Sequence, residues 1–300
     1  MGLRDGETPY PASQRKLWLR RLLFGRGKRV LVFDPGEVPL GREHLKSEIM
    51  FFAIVLGLRL RGAQVIRPPR AVGGYDLVTA FFYRASARLS NVVLWRDRPS
   101  LDRMGVGELA PDTAFAEPAV AGLPHTERRT LLVTMRGKRP LPSDAWFEGI
   151  AAFARDQNLR IVTMAQVDED EKRCAEIAAR LADAEHLPWG KRSDLEQEVA
   201  VRLLYEECAF AVSDRLHVLI LAAKAGVTPV EIAPSPAAKI RTHFATVGYV
   251  DVSFDSATAS ANDVRAFLTA QTGRNDDLRA KLLAAQTRLD RRIERALTSR

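Results

Sequence analysis

Three cations in this chain each follow an apolar, β-rich run: Arg136 after TLLVTM (130–135), Arg215 after AFAVS (209–213) and Lys239 after TPVEIA (228–233). Two residues beyond Arg215 stands a titratable ring, His217, at the mouth of a segment (216–225) otherwise apolar except for Lys224. Arginine offers carboxylate and phosphate a planar fork and lysine offers a point charge, so the three cations brought together would hold a small anion. An imidazole with its ordinary pKa of about 6.5 can give and take a proton near neutrality. Ser213 and Asp214 read as the turn and N-cap of the following helix. That puts Arg215 and His217 in its first turn, where unpaired N–H groups and the positive dipole end attract anions. Gln166 and Asp168, just past the run LRIVTMA (159–165), and Arg96 and Asp97, just past NVVLW (91–95), are further candidate contacts. For Arg96 and Asp97 an ion pair that holds the loop competes with a role at the site. Asp168, Asp170 and Glu171 in QVDEDEK lack the spacing of a calcium loop and read as a solvated helix start, and no metal-ligand cluster is visible.

The elements that must position these residues alternate strand and helix twice over. In the first series, RVLVF (29–33) reads as a buried strand and 42–62 as a helix closed by a glycine. AQVIRPP, DLVTAFFY (76–83) and NVVLW read as further strands, and Ser100 as the opener of a short helix. In the second, the runs at 130–135, 159–165, 209–213 and 228–233 are strands separated by helices at about 143–157, 169–183, 193–206 and 215–225. The segment AEPAVAGLPHTERR (116–129), with two prolines and no periodicity, marks the boundary between them. The expected organisation is a basic amphipathic segment at 1–28, a Rossmann-like domain at 29–118, a second at 128–258, and helices at 259–300 that pack back. The fold class is α/β with two doubly wound domains, and connections of this kind bring strand carboxyl ends to a common rim.

Composition narrows the class. With 46% apolar residues in 300, the chain can bury domain-sized cores. Cys174 and Cys208 are too few for a disulfide framework and form no close pair, which fits a reducing cytoplasm. No run reaches a membrane span, and residues 1–12 lack the apolar core of a signal peptide. The net charge of +8 comes mostly from arginine, since only nine of 45 basic residues are lysine. The run SQRKLWLRRLLFGRGKR (13–29) could lie on an anionic membrane surface, with packing on its own domain as the competing reading.

The run SDRLHVLILAAKAGVTPVEI (213–232), followed by KIRTHFATVG, resembles the carboxyl-terminal signature of the polysaccharide pyruvyl transferases. VVLWRDRPSLDRMGVGELAPDTAF, upstream, is similar to a second run of that family, and the resemblance covers roughly 90–255. It implies two Rossmann-like domains facing across a cleft, as in B-type glycosyltransferases, and transfer of the enolpyruvyl group of phosphoenolpyruvate to a sugar of a surface polysaccharide or its lipid-linked precursor. On this resemblance His217 becomes the acid/base residue, while Arg215, Arg136 and Lys239 bind the donor. Ser213, Asp214, Gln166, Asp168, Arg96 and Asp97 become acceptor or supporting residues. Phosphoenolpyruvate is then a co-substrate, with no other cofactor and no metal. The partners are then a glycan or lipid-linked oligosaccharide, while peripheral contact with the inner membrane face stays open on the basic run at 13–29 alone. One departure is the run APSPAAK, where relatives often place an aspartate before the lysine.

Two other classes compete. A nucleotide-sugar glycosyltransferase could use the same scaffold, although AVGGYD and GRGKR are poor phosphate loops. A non-catalytic binder of acidic polymer would suit the net charge, but nucleic acid is disfavoured because aromatics are not interleaved with the basic residues.

Overall fold

The structure is a computed structural model that describes residues 8–117 and 127–298. The chain divides into two compact units, Met1–Thr113 with Thr287–Arg300, and Ala114–Gln286. The boundary segment read at 116–129 lies largely outside the described residues.

The first unit opens with helix α1 (Arg15–Phe24) and strands β1 (Val30–Val32) and β2 (Gly36–Leu40). Helix α2 (Leu45–Leu60), strand β3 (Gln64–Tyr75) and helix α3 (Leu77–Leu89) follow. Strand β4 (Val92–Trp95), helix α4 (Arg98–Met104) and strand β5 (Glu108–Leu109) complete it. All pairings are parallel. β1 and β2 lie in series along one edge of β3, with Val30 opposite Gln64 and Gly36 opposite Arg70, while β4 takes the other edge and β5 follows β4. The amphipathic α1 packs on its own unit: Leu19, Leu22 and Leu23 lie against the core formed by Val55, Leu58 and Val65.

Two expectations fail here for physical reasons. DLVTAFFY is a helix, not a strand. The Asp76 carboxylate accepts from the backbone N–H of Val78 (3.1 Å) and Thr79 (3.0 Å), capping α3. Burial recurs at helical spacing (Thr79, Ala80, Tyr83, Ser86, Ala87), and exposed Leu77, Val78 and Phe81 fill the gaps with apolar side chains that mimic a strand. Helix α4 is opened by Asp97 and not by Ser100: Asp97 accepts from the Ser100 N–H (2.8 Å) and from its hydroxyl (3.0 Å).

The second unit carries β6 (Thr130–Thr134), α5 (Asp144–Asp156), β7 (Arg160–Thr163), α6 (Glu171–Arg180) and β8 (Glu185–His186). Then come α7 (Asp194–Glu207), β9 (Cys208–Ser213), α8 (Leu216–Lys224), β10 (Thr228–Ala233), α9 (Ala238–Thr246) and β11 (Ser253–Asp255). Helix α10 (Ala261–Ala270) packs on α5, and the first half of α11 (Asn275–Thr298) buries Leu278, Leu282 and Ala285 in this unit's core. The six strands are parallel in the order β11-β10-β9-β6-β7-β8. The chain starts at a central strand, walks outward to β8, returns beside its start at β9 and walks the other way. That is the order of a Rossmann-like doubly wound sheet. β6, β9 and β10 are buried throughout, which explains their continuous apolar runs. At the amino ends of these strands, the buried Arg128 guanidinium donates to the carbonyls of Cys208 (3.1 Å) and Ala225 (2.8 Å), satisfying groups at the ends of α7 and α8.

Candidate functional site

In an open parallel sheet the strand order reverses at one point, and the loops leaving the two strands there part to form a crevice at their carboxyl ends. In the second unit that point lies between β6 and β9. Two residues tie its walls together. Asp214, fully buried after β9, accepts from the backbone N–H of Arg136 after β6 (2.8 Å). Its other oxygen lies 3.3 Å from Arg139 Nε, close enough for ion pairing but not aligned as a hydrogen bond. Burial pushes the Asp214 carboxyl above the usual carboxylate range, although the Arg136 N–H and the arginines beside it pull the other way. The half-buried Arg136 keeps its Nε shielded from solvent without a hydrogen-bond partner.

Arg215 sits elsewhere in the pattern than expected. It occupies the N-cap position of α8 itself, with its N–H donating to Ser213 Oγ (3.0 Å), so Ser213 and Asp214 precede the cap and no side chain caps this helix. Its guanidinium fork is closed on carboxylates: Nε and Nη2 engage both oxygens of Asp170 (Nη2 at 2.8 Å), and Nη2 also reaches Glu169 (2.7 Å). Burial alone would lower the Arg215 pKa, but these two acids carry it above its usual value. Lys138 binds the second oxygen of Glu169 at 2.9 Å, and the Gly137 N–H donates to Asp170 at 2.8 Å. Hydrogen bonds from Arg215 and then Lys138 hold the Glu169 carboxyl down at about 2. The acids of QVDEDEK are therefore not a solvated helix start, because Asp170 is buried and paired.

His217, the second residue of α8, is exposed at this rim, clear of the packed core. Gln166 is half-buried and Asp168 exposed, both in the loop after β7. Lys239 is half-buried in the first turn of α9, where its carbonyl accepts from Thr242 Oγ1 (3.0 Å) and lies 2.7 Å from His243 Nδ1. Arg96 and Asp97 belong to the first unit and do not pair with each other. Arg96 donates to Asp112 (2.8 Å) and lies 3.7 Å from Glu37, while Asp97 is engaged as the cap of α4. The ion pair that holds this loop is therefore Arg96 with Asp112, both buried, while the Asp97 oxygens are taken by the cap.

The residue that sequence reasoning missed is Glu231. It is buried in β10, with Ser253 Oγ donating to its Oε2 at 2.6 Å. Burial pushes its carboxyl up to about 7, against the hydrogen bond from Ser253 and the pull of Arg139, with Asp214 raising it further. A carboxyl poised at that value can act as general acid or base near neutrality. Its one signal in the sequence is a lone acid inside the apolar run TPVEIA. Around the crevice, Arg136, Lys138, Arg139 and Arg215 face Glu169, Asp170, Asp214 and Glu231. Arg215 is closed on Asp170 and Glu169, Lys138 on Glu169, and Arg139 lies beside Asp214, so most of these cations are already engaged by carboxylates. Among the described residues no group of His, Cys, Asp and Glu could hold a metal ion, and no helix is long and apolar enough to cross a membrane.

No family model matches the chain, and no curated protein does. Among solved structures it is similar to the E. coli heptosyltransferase WaaC with ADP, at 17% identity over 87% of this chain and 78% of that one, TM-score 0.47. It is similar to the N-terminal domain of trehalose-6-phosphate phosphatase from Candida albicans, at 9% identity over 97% of this chain and 78% of that one, TM-score 0.49. It is also similar to MnaA of S. aureus with UDP, at 12% identity over 91% of this chain and 74% of that one, TM-score 0.44.

Proposed function

We propose that the second unit binds a nucleotide sugar in the crevice between β6 and β9 and that the chain transfers the sugar to a glycan acceptor. The observation that carries this reading is that the crevice lies at the reversal of a Rossmann-ordered sheet, with the fork of Arg215 already closed on Asp170 and Glu169. Phosphoenolpyruvate brings a phosphate and a carboxylate on a very small frame and needs a surplus of cations. A nucleoside diphosphate spreads its charge over a larger frame and asks less of the cations in the crevice. The uncapped amino end of α8 supplies N–H groups for a phosphate, and the half-buried Arg136, just past the end of β6, supplies a guanidinium. Glu231, buried in β10 and electrostatically coupled to Arg139 and Asp214, is the candidate for proton transfer.

Calorimetric titration of the full chain with UDP, ADP, GDP and phosphoenolpyruvate tests this. At least one nucleoside diphosphate should bind, and Arg136→Ala should weaken it about tenfold or more, the loss of a charge-assisted hydrogen bond. Binding of phosphoenolpyruvate with no response to any nucleotide would overturn it. That result would favour pyruvyl transfer, the second reading, which is supported by the SDRLH run and by the exposure of His217 at the rim.

A further inference from the structure

The outward face of the first unit's helices is apolar where solvent should make it polar. Along α2 the positions that face outward fall at 46, 49, 53, 56 and 60, and they include Ile49, Leu56 and Leu60, the last 79% exposed. On α3 the outward positions begin with Leu77 (72% exposed), Val78 and Phe81 (61% exposed). The helices are neighbours: Phe52 of α2 meets Phe82 of α3 edge-to-face, with ring centroids 6.2 Å apart. On the other side of α2 lies α1, where Arg15 reaches Met50 and Leu23 approaches Gly57. The three helices form one layer on which α2 and α3 expose Ile49, Leu56, Leu60, Leu77, Val78 and Phe81, and a cluster of exposed apolar side chains marks an interface.

Charge selects the partner. The layer carries exposed Arg15, Lys16, Arg20, Arg21, Lys46 and Arg88, whereas the single acid within the three helices, Glu48, is buried. Other acids stand only at the amino ends, Glu43 before α2 and Asp76 capping α3. A second copy related by two-fold symmetry would press two cationic faces together, which costs association. An anionic bilayer receives both features at once, taking apolar side chains at the acyl boundary and lysine and arginine at the headgroups. We propose that this three-helix face docks on an anionic lipid bilayer, with α2 and α3 supplying the apolar contact and α1 flanking them with charge.

Co-sedimentation of the full chain with vesicles tests it, using phosphatidylcholine alone and phosphatidylcholine mixed with phosphatidylglycerol. The chain should sediment with the mixed vesicles, little with the neutral ones, and less as salt rises. Removing one headgroup cation, Arg20→Ala, should weaken binding about fivefold. The pair Leu60→Glu and Phe81→Glu should weaken it about tenfold or more, since both side chains point to solvent and the fold does not need them. Should that pair disturb folding by circular dichroism, Leu77→Glu serves instead, because an acid in the first turn of α3 favours the helix. Equal sedimentation with both vesicle types, or binding unchanged in the charged variants, overturns the proposal. So does a concentration-dependent dimer that the same variants dissolve.

Discussion

Glu231 gives a prediction whose size follows from its surroundings. Its carboxyl moves from an ordinary 4.5 to about 7 in the folded chain because burial penalises the charge more than Ser253 and Arg139 favour it. Between those values the folded state binds more protons at this position than the unfolded state, so its contribution is fully present below about pH 4.5 and is lost as pH rises through about 7. The whole displacement corresponds to about 3 kcal/mol, most of it spent between about pH 5 and about pH 8. Asp214, also raised, acts in the same direction. Glu231→Gln keeps the shape and an oxygen to accept from Ser253 while removing the charge. It should leave stability unchanged near pH 4.5 and raise it by about 3 kcal/mol near pH 8 relative to wild type. Urea unfolding of both proteins across that range, followed by circular dichroism, gives the difference directly. A difference that stays flat with pH, or a variant less stable at pH 8, would refute the reasoning that Glu231 is held protonated by burial.

Other outcomes follow from the same rim. Asp170→Asn should cost about 3 kcal/mol or more in thermal unfolding, because it leaves the Arg215 fork without its buried counter-charge; a loss under about 1 kcal/mol would place the pair in solvent. Gly137→Ala should cost about 1–3 kcal/mol and loosen nucleotide binding, since its new methyl would lie 2.5 Å from the Glu169 carbonyl oxygen; an unchanged melting curve and affinity would mean the loop can give way. His217→Ala should alter stability by no more than about 0.5 kcal/mol, as its side chain is exposed. If phosphate release from phosphoenolpyruvate with a glycan acceptor occurs in wild type and vanishes in that variant, pyruvyl transfer displaces the glycosyl reading.

The four inner strands of the second sheet were legible because burial forces continuous apolar runs such as TLLVT, AFAVS and TPVEIA, whereas the edge strands β8 and β11, short and partly exposed, were not read. α3 was not legible as a helix, since its outward positions carry Leu77, Val78 and Phe81 and erase the helical period. Those same residues form the apolar face proposed to meet a bilayer, so the misreading and the surface share one cause. At the crevice, sequence could place Arg136 and Arg215 after strands but could not tell what they would meet. The partner of Arg215 stands 45 residues earlier, on a loop whose course depends on β7 lying next to β6. Glu231 was invisible for a different reason: one acid in an apolar run has no spacing to read, and its character comes from burial beside Asp214 and Arg139.

The central place of β6 also governs the order in which the molecule can be assembled on the ribosome. β7 and β8 emerge soon after it and can zip onto one side, but the other side of Leu131, Leu132 and Val133 waits for Cys208–Ser213 to be synthesised. Until then the nascent sheet carries a bare, wholly apolar margin, the kind of edge that recruits stray strands from neighbouring chains. The half-made polypeptide, ending before β9, is therefore the species most in need of a chaperone.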